Sequence, residues 1–506
     1  MIPHLVRRKP RTGARKALLG LILSVQLLPA QAEPAPALEL SIEDAVFMAL
    51  RNNRGLRVQQ FEPVIAGAFE QIERGAYDPE LFAGLGYSEE NAEETSRSTG
   101  ERFTVEGNNA EARAGIRQRL PTGTEIEASV REDRSISDRA PEQQSARFGL
   151  TVTQQLLRGF GPAVNLAAIR AAALDSRASR YELLGYTEAL VADVETAYWR
   201  YVSARESIAV FESSLEVADT QLEEIDSRIE VGDLPKNEAA AARAERAQRQ
   251  QDLIDAQSEL NDRRYTLVRL ISPGLSESRI DALVATSQPG ASEPEPLPDP
   301  AERTRLALNS RPEIEQARLL LDRKELETVV TRNGRLPRLE LFINLGKSGY
   351  ADTFRDSFRN SDGPSYDVTV GIEFSQALGN RSARAEDIIA RANRDQAEEA
   401  LANLRDLIRF DVLTALNELD RARRQIAAST ETRHFREQTV QAERDRFEVG
   451  SSTALDLARA ERDLVQSRIT EIEARVAYRI ARVQLYLAEG SLLERRGLAA
   501  VAAFEN

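Results

Sequence analysis

Two long stretches of the chain carry apolar residues at the spacing of an α-helix. From Ala163 to Val231 the only breaker is one glycine, and from Arg381 to Val449 there is neither proline nor glycine. Each predicted helix has about 70 residues and would span roughly 100 Å at 1.5 Å per residue. The later stretch shows the narrow apolar seam of a coiled coil, made of Leu401, Leu404, Ile408, Val412, Ala415, Leu419, Ala422 and Ile426.

Two shorter stretches, 43–74 and 236–271, are predicted to form further helices. Ser41 has the character of an N-cap, with Asp44 placed to complete a capping box. Together the two stretches are about as long as one long helix, so they can stack end to end beside it. A helix with a single narrow seam needs such neighbours in order to be buried.

Strands are predicted just before each long helix, where apolar and polar residues alternate. Val368, Val370, Ile372 and Phe374 form one strand, and Leu339 to Leu345 form its partner. Earlier in the chain the segments 81–87 and 148–152 alternate in the same way. An additional pair, 112–120 and 124–131, is joined by Pro121-Thr122-Gly123. The polar connections 91–101 and 132–145 are expected to be long loops.

The second face of these strands is charged. It carries Arg113, Arg117, Arg119, Glu125, Glu127, Arg131 and Glu373. Such alternation fits an ordinary solvated sheet face, and it also fits the inner wall of a water-filled barrel whose outer face contacts lipid. We interpret these residues as barrel lumen charges, because the further features described below point to a secreted protein.

The chain contains two copies of one unit. Pro79 and Leu81 match Pro337 and Leu339, and the sequence around Val231-Gly232 matches that around Val449-Gly450. We therefore predict a first repeat at 33–286, with barrel strands at about 81–157, and a second repeat at 301–490, with barrel strands at about 339–378. A Pro-rich linker at 287–300 separates them, and 491–506 form a C-terminal tail.

Residues 1–32 are predicted to be a signal peptide, because a basic start precedes an apolar run that ends at Ala30-Gln31-Ala32. Its removal takes away six basic residues and leaves 61 Lys and Arg against 81 Asp and Glu, a net charge of −20. Such a chain should repel nucleic acid. It has no cysteine and one remaining histidine, His434, so we expect no catalytic triad, no metal site and no cofactor.

The mature chain has no apolar run of 18 residues. If it crosses a membrane, it must do so as strands of a closed β-barrel, because backbone polar groups need partners inside lipid. Two or three hairpins are too few for most such barrels, whose smallest members have about eight strands. Several copies of the chain are therefore expected to share one barrel.

The duplicated order of short helix, strand hairpin, long helix, Val-Gly turn and returning helix resembles the TolC-like outer-membrane efflux proteins. Arg446 to Gly490 is similar to the C-terminal helix pattern of that family. The resemblance implies a mainly α fold with transmembrane β, a homotrimer whose outer-membrane β-barrel continues into a periplasmic α-helical barrel. It also implies a passive exit duct for efflux or type I secretion. Its partners would be a periplasmic adaptor, an inner-membrane transporter and outer-membrane lipid.

The resemblance further implies an aperture at the tip. The family's acidic residues after the turns are matched by Glu238 and Asp456. Arg459, Phe447 and Ser452 stand where relatives have an aspartate, a tyrosine and an arginine. Asp456 also fits a structural role, because Thr453 to Asp456 can form a capping box. Asp456 and Arg459 are three residues apart on one helix face and can pair.

The two tip turns are candidates for adaptor docking. Val231, Leu234 and Val449 are expected to be exposed beside Gly232 and Gly450. A left-handed glycine that ends a helix explains the same pattern, and the two interpretations are compatible.

A periplasmic coiled-coil adaptor or scaffold is the alternative function, but it would have one helical hairpin and no lipid-facing strands. An enzyme is disfavoured, because no phosphate-loop or dinucleotide-binding glycine motif is present. The substrate, whether a drug, a metal ion or a secreted protein, is not encoded in any pattern that we recognise.

Overall fold

The computed structural model describes residues 38–138, 140–236, 238–272, 274–288 and 296–498. The predicted signal peptide, half of the linker and the end of the tail lie outside these ranges. The first repeat contains β1 (Leu38–Leu40), α1 (Ile42–Asn52), α2 (Arg54–Gln59), α3 (Glu62–Gly75), β2 (Glu80–Thr95), β3 (Arg102–Arg119), β4 (Thr124–Ser137), β5 (Ala140–Gln155), α4 (Pro162–Asn165), α5 (Ala167–Glu230), α6 (Glu238–Ile271), α7 (Glu277–Asp281) and β6 (Leu283–Ala285).

The second repeat has the same order with fewer strands. It contains α8 (Pro300–Ser310), α9 (Pro312–Gly334), β7 (Arg338–Ala351), α10 (Phe354–Arg359), β8 (Tyr366–Ser375), α11 (Arg381–Glu448), α12 (Ala454–Glu489) and α13 (Leu492–Arg495). Within the described residues, no helix is both long and apolar enough to cross a membrane.

The two long helices and the seam are confirmed. Helix α5 has 64 residues and α11 has 68. Leu401, Ile408, Val412 and Ala422 are at most 5% exposed and form one core cluster with residues of α8, α9 and α12. The shorter helices lie along the long ones, α3 and α6 beside α5, and α9 and α12 beside α11. The narrow seam is therefore buried by neighbouring helices of the same chain.

The prediction of one helix over 43–74 is wrong. The capping box at Ser41 is present, but α1 ends at Asn53 and a second break follows at Gln60 and Phe61. The Asn53 side chain accepts a hydrogen bond from Leu56 N at 3.0 Å and donates one to Leu270 O at 2.9 Å. An asparagine that offers the backbone such a local partner favours a cap over a continuous helix.

The predicted loops at 91–101 and 132–145 are also largely wrong. The β2–β3 ladder continues to the pair Thr95 and Arg102, and the β4–β5 ladder continues to Ser137 and Ala140. These parts of the strands carry polar side chains, so no alternation of apolar residues reveals them. Ladder hydrogen bonds join backbone groups and do not require apolar residues. The hairpins therefore extend well beyond their apolar portion.

Six strands form one antiparallel sheet in the order β2-β3-β4-β5-β7-β8. The extra hairpin of the first repeat, β3 and β4, lies inside this sheet between β2 and β5. The pairing of β5 with β7, from Gln144 opposite Ala351 to Gln155 opposite Glu340, joins the two repeats. In the single chain, β2 and β8 form the free edges.

A second, two-stranded parallel sheet of β1 and β6 packs on α5 about halfway along the molecule. Tyr198 donates a hydrogen bond to Leu40 O at 2.8 Å, and Tyr201 donates one to Leu283 O at 2.6 Å. Arg496, just after α13, makes a two-pronged ion pair with the fully buried Glu195 at 2.6 and 2.5 Å. We call this region, with its cluster of apolar residues, the waist.

Glu188 of α5 is a second buried carboxylate in the waist, 5% exposed. Desolvation raises its pKa from 4.5 to about 7, although the backbone N–H of Leu493 donates a hydrogen bond to it and lowers the pKa in part. The folded protein therefore binds more protons than the unfolded chain between these two pH values. Stability is highest below the unfolded pKa and falls as pH rises through the folded one.

We expect Glu188→Gln to abolish this dependence, because the amide keeps an acceptor for Leu493 N–H and carries no charge. Between about pH 5 and pH 8 the wild-type protein should lose up to about 3 kcal/mol relative to the variant. Melting temperatures of both proteins at the two pH values measure the difference. Glu182→Gln, an exposed carboxylate on the same helix, is the control. Parallel pH profiles for wild type and Glu188→Gln would contradict the assignment.

Candidate functional site

The strand register places all seven predicted lumen charges on one face of the sheet. Arg117 lies opposite Glu127, Arg119 opposite Glu125, and Arg113 opposite Arg131. Glu373 lies on the same face, opposite Glu340 of β7. Side chains alternate between the two faces along each strand, so the same face continues through all six strands at these residues. A register shift at Ser135 and Ser137 lies beyond them. We call this side the polar face.

Ion pairs link strands across the polar face, two between neighbouring strands and one from β5 across β7 to β8. Arg117 contacts Glu80 at 2.8 Å, Arg131 contacts Glu111 at 3.2 Å, and Arg147 contacts Asp367 at 2.5 Å. The partners Glu80, Glu111, Arg147 and Asp367 are not among the predicted lumen residues. The sequence alone does not show that these residues share a face with Arg113, because that depends on how the strands pair.

The other side of the sheet, which we call the apolar face, exposes large hydrophobic side chains. Leu85 is 89% exposed, Leu81 78% and Ile372 67%. The remaining members include Ile116, Val130, Phe148, Leu150, Ile343, Leu345, Val368 and Val370. A contiguous apolar surface of this kind marks a contact with lipid or with another protein.

Both tip turns have the same backbone geometry. Gly232 and Gly450 have φ values of 86° and 75°, the left-handed region that favours glycine. Asp233 N–H bonds to Arg228 O and Gly232 N–H to Ile229 O, at 2.8 and 3.1 Å. Equivalent bonds run from Ser451 and Gly450 in the second repeat. This is the Schellman arrangement that ends a helix.

The apolar residues at the two turns differ in exposure. Val231 and Val449 are 75% and 79% exposed, as expected for a docking surface. Leu234 differs from the prediction, because it packs against a small cluster that includes Phe447 and Leu457. Of the five tip-turn residues, Leu234 is thus partly buried.

The predicted aperture residues surround this small cluster. Phe447 is 7% exposed, and the Arg228 guanidinium lies 5.3 Å from the centre of its ring. Ser452 donates a hydrogen bond to Glu443 at 2.9 Å. Glu238 is the first residue of α6 and is partly exposed. The single chain therefore holds Phe447 as a packing residue, while its role in an aperture stays a prediction.

Asp456 takes part in the N-cap of α12, although the reciprocal backbone bond of the expected capping box is not formed, and it pairs with Arg459 as expected. Its backbone N–H donates to the Thr453 hydroxyl at 3.2 Å, and that hydroxyl donates to its carboxylate at 2.7 Å, which completes an N-cap for α12. The carboxylate also lies 3.7 Å from the Arg459 guanidinium, with both side chains about half exposed or more. The structural role is therefore present, and the charge still faces solvent.

No group of three or more His, Cys, Asp or Glu side chains able to hold a metal ion occurs in the described parts of the chain. The features that remain are a two-faced sheet, two long helical hairpins and a pair of similar tips. They fit the wall of a conduit.

Comparison with known proteins supports this interpretation. Residues 304–491 match the family model "Outer membrane efflux protein". The chain is 22% identical over 344 residues to the outer membrane efflux protein BepC of Brucella suis, which covers 68% of this chain and 72% of BepC. It is 27% identical over 310 residues to the cobalt-zinc-cadmium resistance protein CzcC of Cupriavidus metallidurans, which covers 60% of this chain and 68% of CzcC.

The fold matches solved outer-membrane channels. The CmeC outer membrane channel of Campylobacter jejuni superposes with a TM-score of 0.67 at 17% identity, over 89% of this chain and 86% of CmeC. At this identity the likeness establishes the fold, while the family model identifies the second half of the chain. Residues 304–491 thus match the outer membrane efflux protein family, whose members are channel proteins of the outer membrane that extend into the periplasm and are not enzymes, and the chain has the fold of TolC-like channels.

Proposed function

We propose that the protein is the outer-membrane exit duct of a tripartite efflux or type I secretion system. It conducts substrates passively from an inner-membrane pump, with a periplasmic adaptor between the two. The observation that carries the proposal is the sheet with one charged and one apolar face, directly continuous with helices of 64 and 68 residues. A periplasmic adaptor fits this structure poorly, because an adaptor is expected to have no sheet with one charged and one apolar face.

The sheet edges support a homotrimer. A membrane-spanning sheet cannot leave backbone groups of β2 and β8 unpaired in lipid. Three copies, each with six strands, would close a barrel within the range of about 8 to 26 strands that outer-membrane proteins use. The polar face would then line the lumen, and the apolar face would contact lipid.

Exposed apolar residues on the helices support the same assembly. Phe61, Val64, Phe69 and Ile72 of the α3 region are between 58% and 68% exposed. On α11, Ile388 and Phe410 are 67% and 63% exposed. Exposed helical surfaces of this size call for a partner, and neighbouring copies would supply it by extending the helices into one tunnel.

Channel formation tests the proposal directly. The protein purified in detergent should crosslink to a trimer and produce discrete conductance steps in a planar lipid bilayer. A positively charged mutation on the lumen side, Glu373→Lys, should shift the reversal potential towards anion preference, because charges that line a pore set its selectivity. The control is Glu142→Lys, near the outer end of β5. A soluble monomer without conductance would overturn the proposal.

The pair of Asp456 and Arg459 is expected to set how tightly the tip closes. In a trimer, Arg459→Ala would leave three carboxylates without a nearby cation, so their repulsion should favour opening and increase cation selectivity. Asp456→Ala should shift selectivity in the opposite direction. An exposed pair contributes about 0.3–0.5 kcal/mol, so three copies shift the closing equilibrium up to about tenfold.

Single-channel conductance and reversal potentials measure both effects. Asp456→Asn separates charge from capping, because the amide can still accept the Thr453 hydrogen bond. The control is Asp463→Ala, further along α12, which removes a 2.7 Å ion pair with Arg436 of α11. Unchanged conductance and selectivity in both Ala variants would show that the pair has no role in closure.

The tip turns are expected to contact the adaptor. Gly232→Val and Gly450→Val impose a left-handed conformation on a branched residue, which costs roughly 1–2 kcal/mol, and should deform both turns and weaken docking. A Cβ atom meets no other atom within 4 Å at either position, so backbone strain is the only direct cost. Crosslinking to the adaptor measures the result.

Gly161→Val is the matched control for strain. Gly161 has a φ of 90° and equally open surroundings, but it lies at the opposite end of α5 from the tip. Val231→Asp and Val449→Asp change the exposed surface without changing the turns. Normal adaptor crosslinking in all tip variants would exclude the turns as the docking site.

A further inference from the structure

The connection between β7 and β8 folds back onto the apolar face of the sheet. Ser348 N–H bonds to Ser365 O at 3.1 Å, and Lys347 Nζ donates to Gly363 O at 2.5 Å. A Cβ atom on Gly349 would lie 2.1 Å from Ser357 O, so only glycine allows the backbones to approach this closely. We call residues 352–365, which include α10, the strap.

Two side-chain contacts hold the strap in place. Phe358 packs edge-on against Phe148 of the apolar face, with ring centres 5.9 Å apart. Ser357 is fully buried, and its hydroxyl oxygen lies 3.1 and 3.3 Å from the two carboxylate oxygens of Glu132 and 2.8 Å from the carbonyl oxygen of Phe354. Glu132 is a charged residue within the apolar face, and the strap provides the partner that its burial requires.

A niche of about 580 Å³ remains between the strap and the sheet. Its floor is formed by the small residues Ala83, Ala112 and Ala114, and its walls by Leu85 and Val130. Phe354 and Phe358 form its roof. The volume is within the range of about 300–1,000 Å³ typical of small-molecule sites. The lining is mostly apolar, and its charged members are Glu132, which Ser357 contacts, and Arg113, which belongs to the polar face.

Two arginines of α10 stand next in sequence to the two phenylalanines of the roof. Arg355 and Arg359 are exposed and four residues apart, so they share a face of α10. At about 100° per residue this face adjoins the one that carries Phe354 and Phe358, and it points away from Ser357. Within the described parts of the chain, neither arginine forms an ion pair.

Two tyrosines lie on the edge strands of the apolar face. Tyr87 and Tyr366, 70% and 74% exposed, lie at the outer ends of the apolar portions of β2 and β8. Aromatic residues form girdles at the lipid–water boundary of outer-membrane barrels. An apolar niche, a pair of free guanidinium groups and this girdle together match a lipid that has an acyl chain and an anionic head.

We propose that the niche under the strap binds one acyl chain of an anionic phospholipid, whose phosphate is held by Arg355 and Arg359. The inference rests on the proposed function, because the apolar face contacts lipid only if the sheet forms a barrel wall. Guanidinium groups suit phosphate through paired, charge-assisted hydrogen bonds. The site is a lipid-binding site on the outside of the duct, separate from the path of the substrate.

Native mass spectrometry of the detergent-purified trimer tests the site with two probes, phosphatidylglycerol and phosphatidylcholine with identical chains. Wild type should retain one phosphatidylglycerol per chain and bind phosphatidylcholine more weakly. The double variant Ala112→Leu/Ala114→Leu fills the niche and should abolish retention. Ala128→Leu, on the same face but outside the niche, should leave retention unchanged.

The double variant Arg355→Gln/Arg359→Gln should bind phosphatidylglycerol about tenfold more weakly, as expected for the loss of about 1.4 kcal/mol of charge-assisted contact. Arg97→Gln, an exposed turn arginine, is its control. Equal retention of both lipids, or full displacement by inorganic phosphate alone, would overturn the proposal.

Conductance of the same variants separates this inference from the proposed function. If wild type conducts in planar bilayers but retains no lipid, the lipid site is refuted and the duct stands. If wild type neither trimerises nor conducts, the apolar face is not a barrel wall, and both proposals fall.

Discussion

The ladder between β5 and β7 is the interaction on which the architecture depends, because it joins the two repeats into one sheet. Its register runs without a break from Gln144 opposite Ala351 to Gln155 opposite Glu340. A slip of one residue would move the apolar side chains of one repeat onto the polar face. The ion pair of Arg147 with Asp367, residues 220 positions apart, spans from β5 across β7 to β8 and requires the same register. The separation of a charged face from an apolar face is thus a property of the joined repeats and not of either alone.

A compact group of hydrogen bonds joins the sheet to the helices. The side-chain amide of Asn165 lies within 3.2 Å of the carbonyl oxygens of Pro121, Gly159 and Gly161, and Tyr77 donates a hydrogen bond to the carbonyl of Asn165 itself. Asn333 at the end of α9 accepts from Gly159 N–H at 2.8 Å. The turn between β3 and β4, the end of β5, and helices from both repeats therefore meet at a hydrogen-bonded hub. Such polar networks fix a unique geometry when all their members are satisfied, which a duct needs where its wall changes from strands to helices.

Much of this arrangement could be predicted from local sequence, and the failures have physical causes. Period-two alternation in 368–374 predicted the two faces, and the spacing of Leu401, Ile408 and Val412 predicted a buried seam. Local sequence predicts loops at the polar ends of the hairpins, but these segments are paired strands. Backbone pairing there does not depend on the polarity of the side chains. Strands β1 and β6 have three residues each and are too short to show a period. The partners of the lumen arginines and the strap depend on contacts between distant segments, which no single stretch of sequence encodes.

The distribution of buried contacts explains why movement should concentrate at the tip. The waist has a large apolar core, tyrosine hydrogen bonds to β1 and β6, and the buried pair of Glu195 with Arg496, whose disruption would cost about 3–5 kcal/mol. The tip has a small apolar cluster with five buried members, exposed ion pairs and two glycine turns with open surroundings. Local opening is cheapest where few apolar contacts are lost. Helix α5 is held at the waist, and α11 is held by its own core cluster with α8, α9 and α12. The far ends of both helices can therefore separate without disturbing the sheet, as the proposed closure at the tip requires.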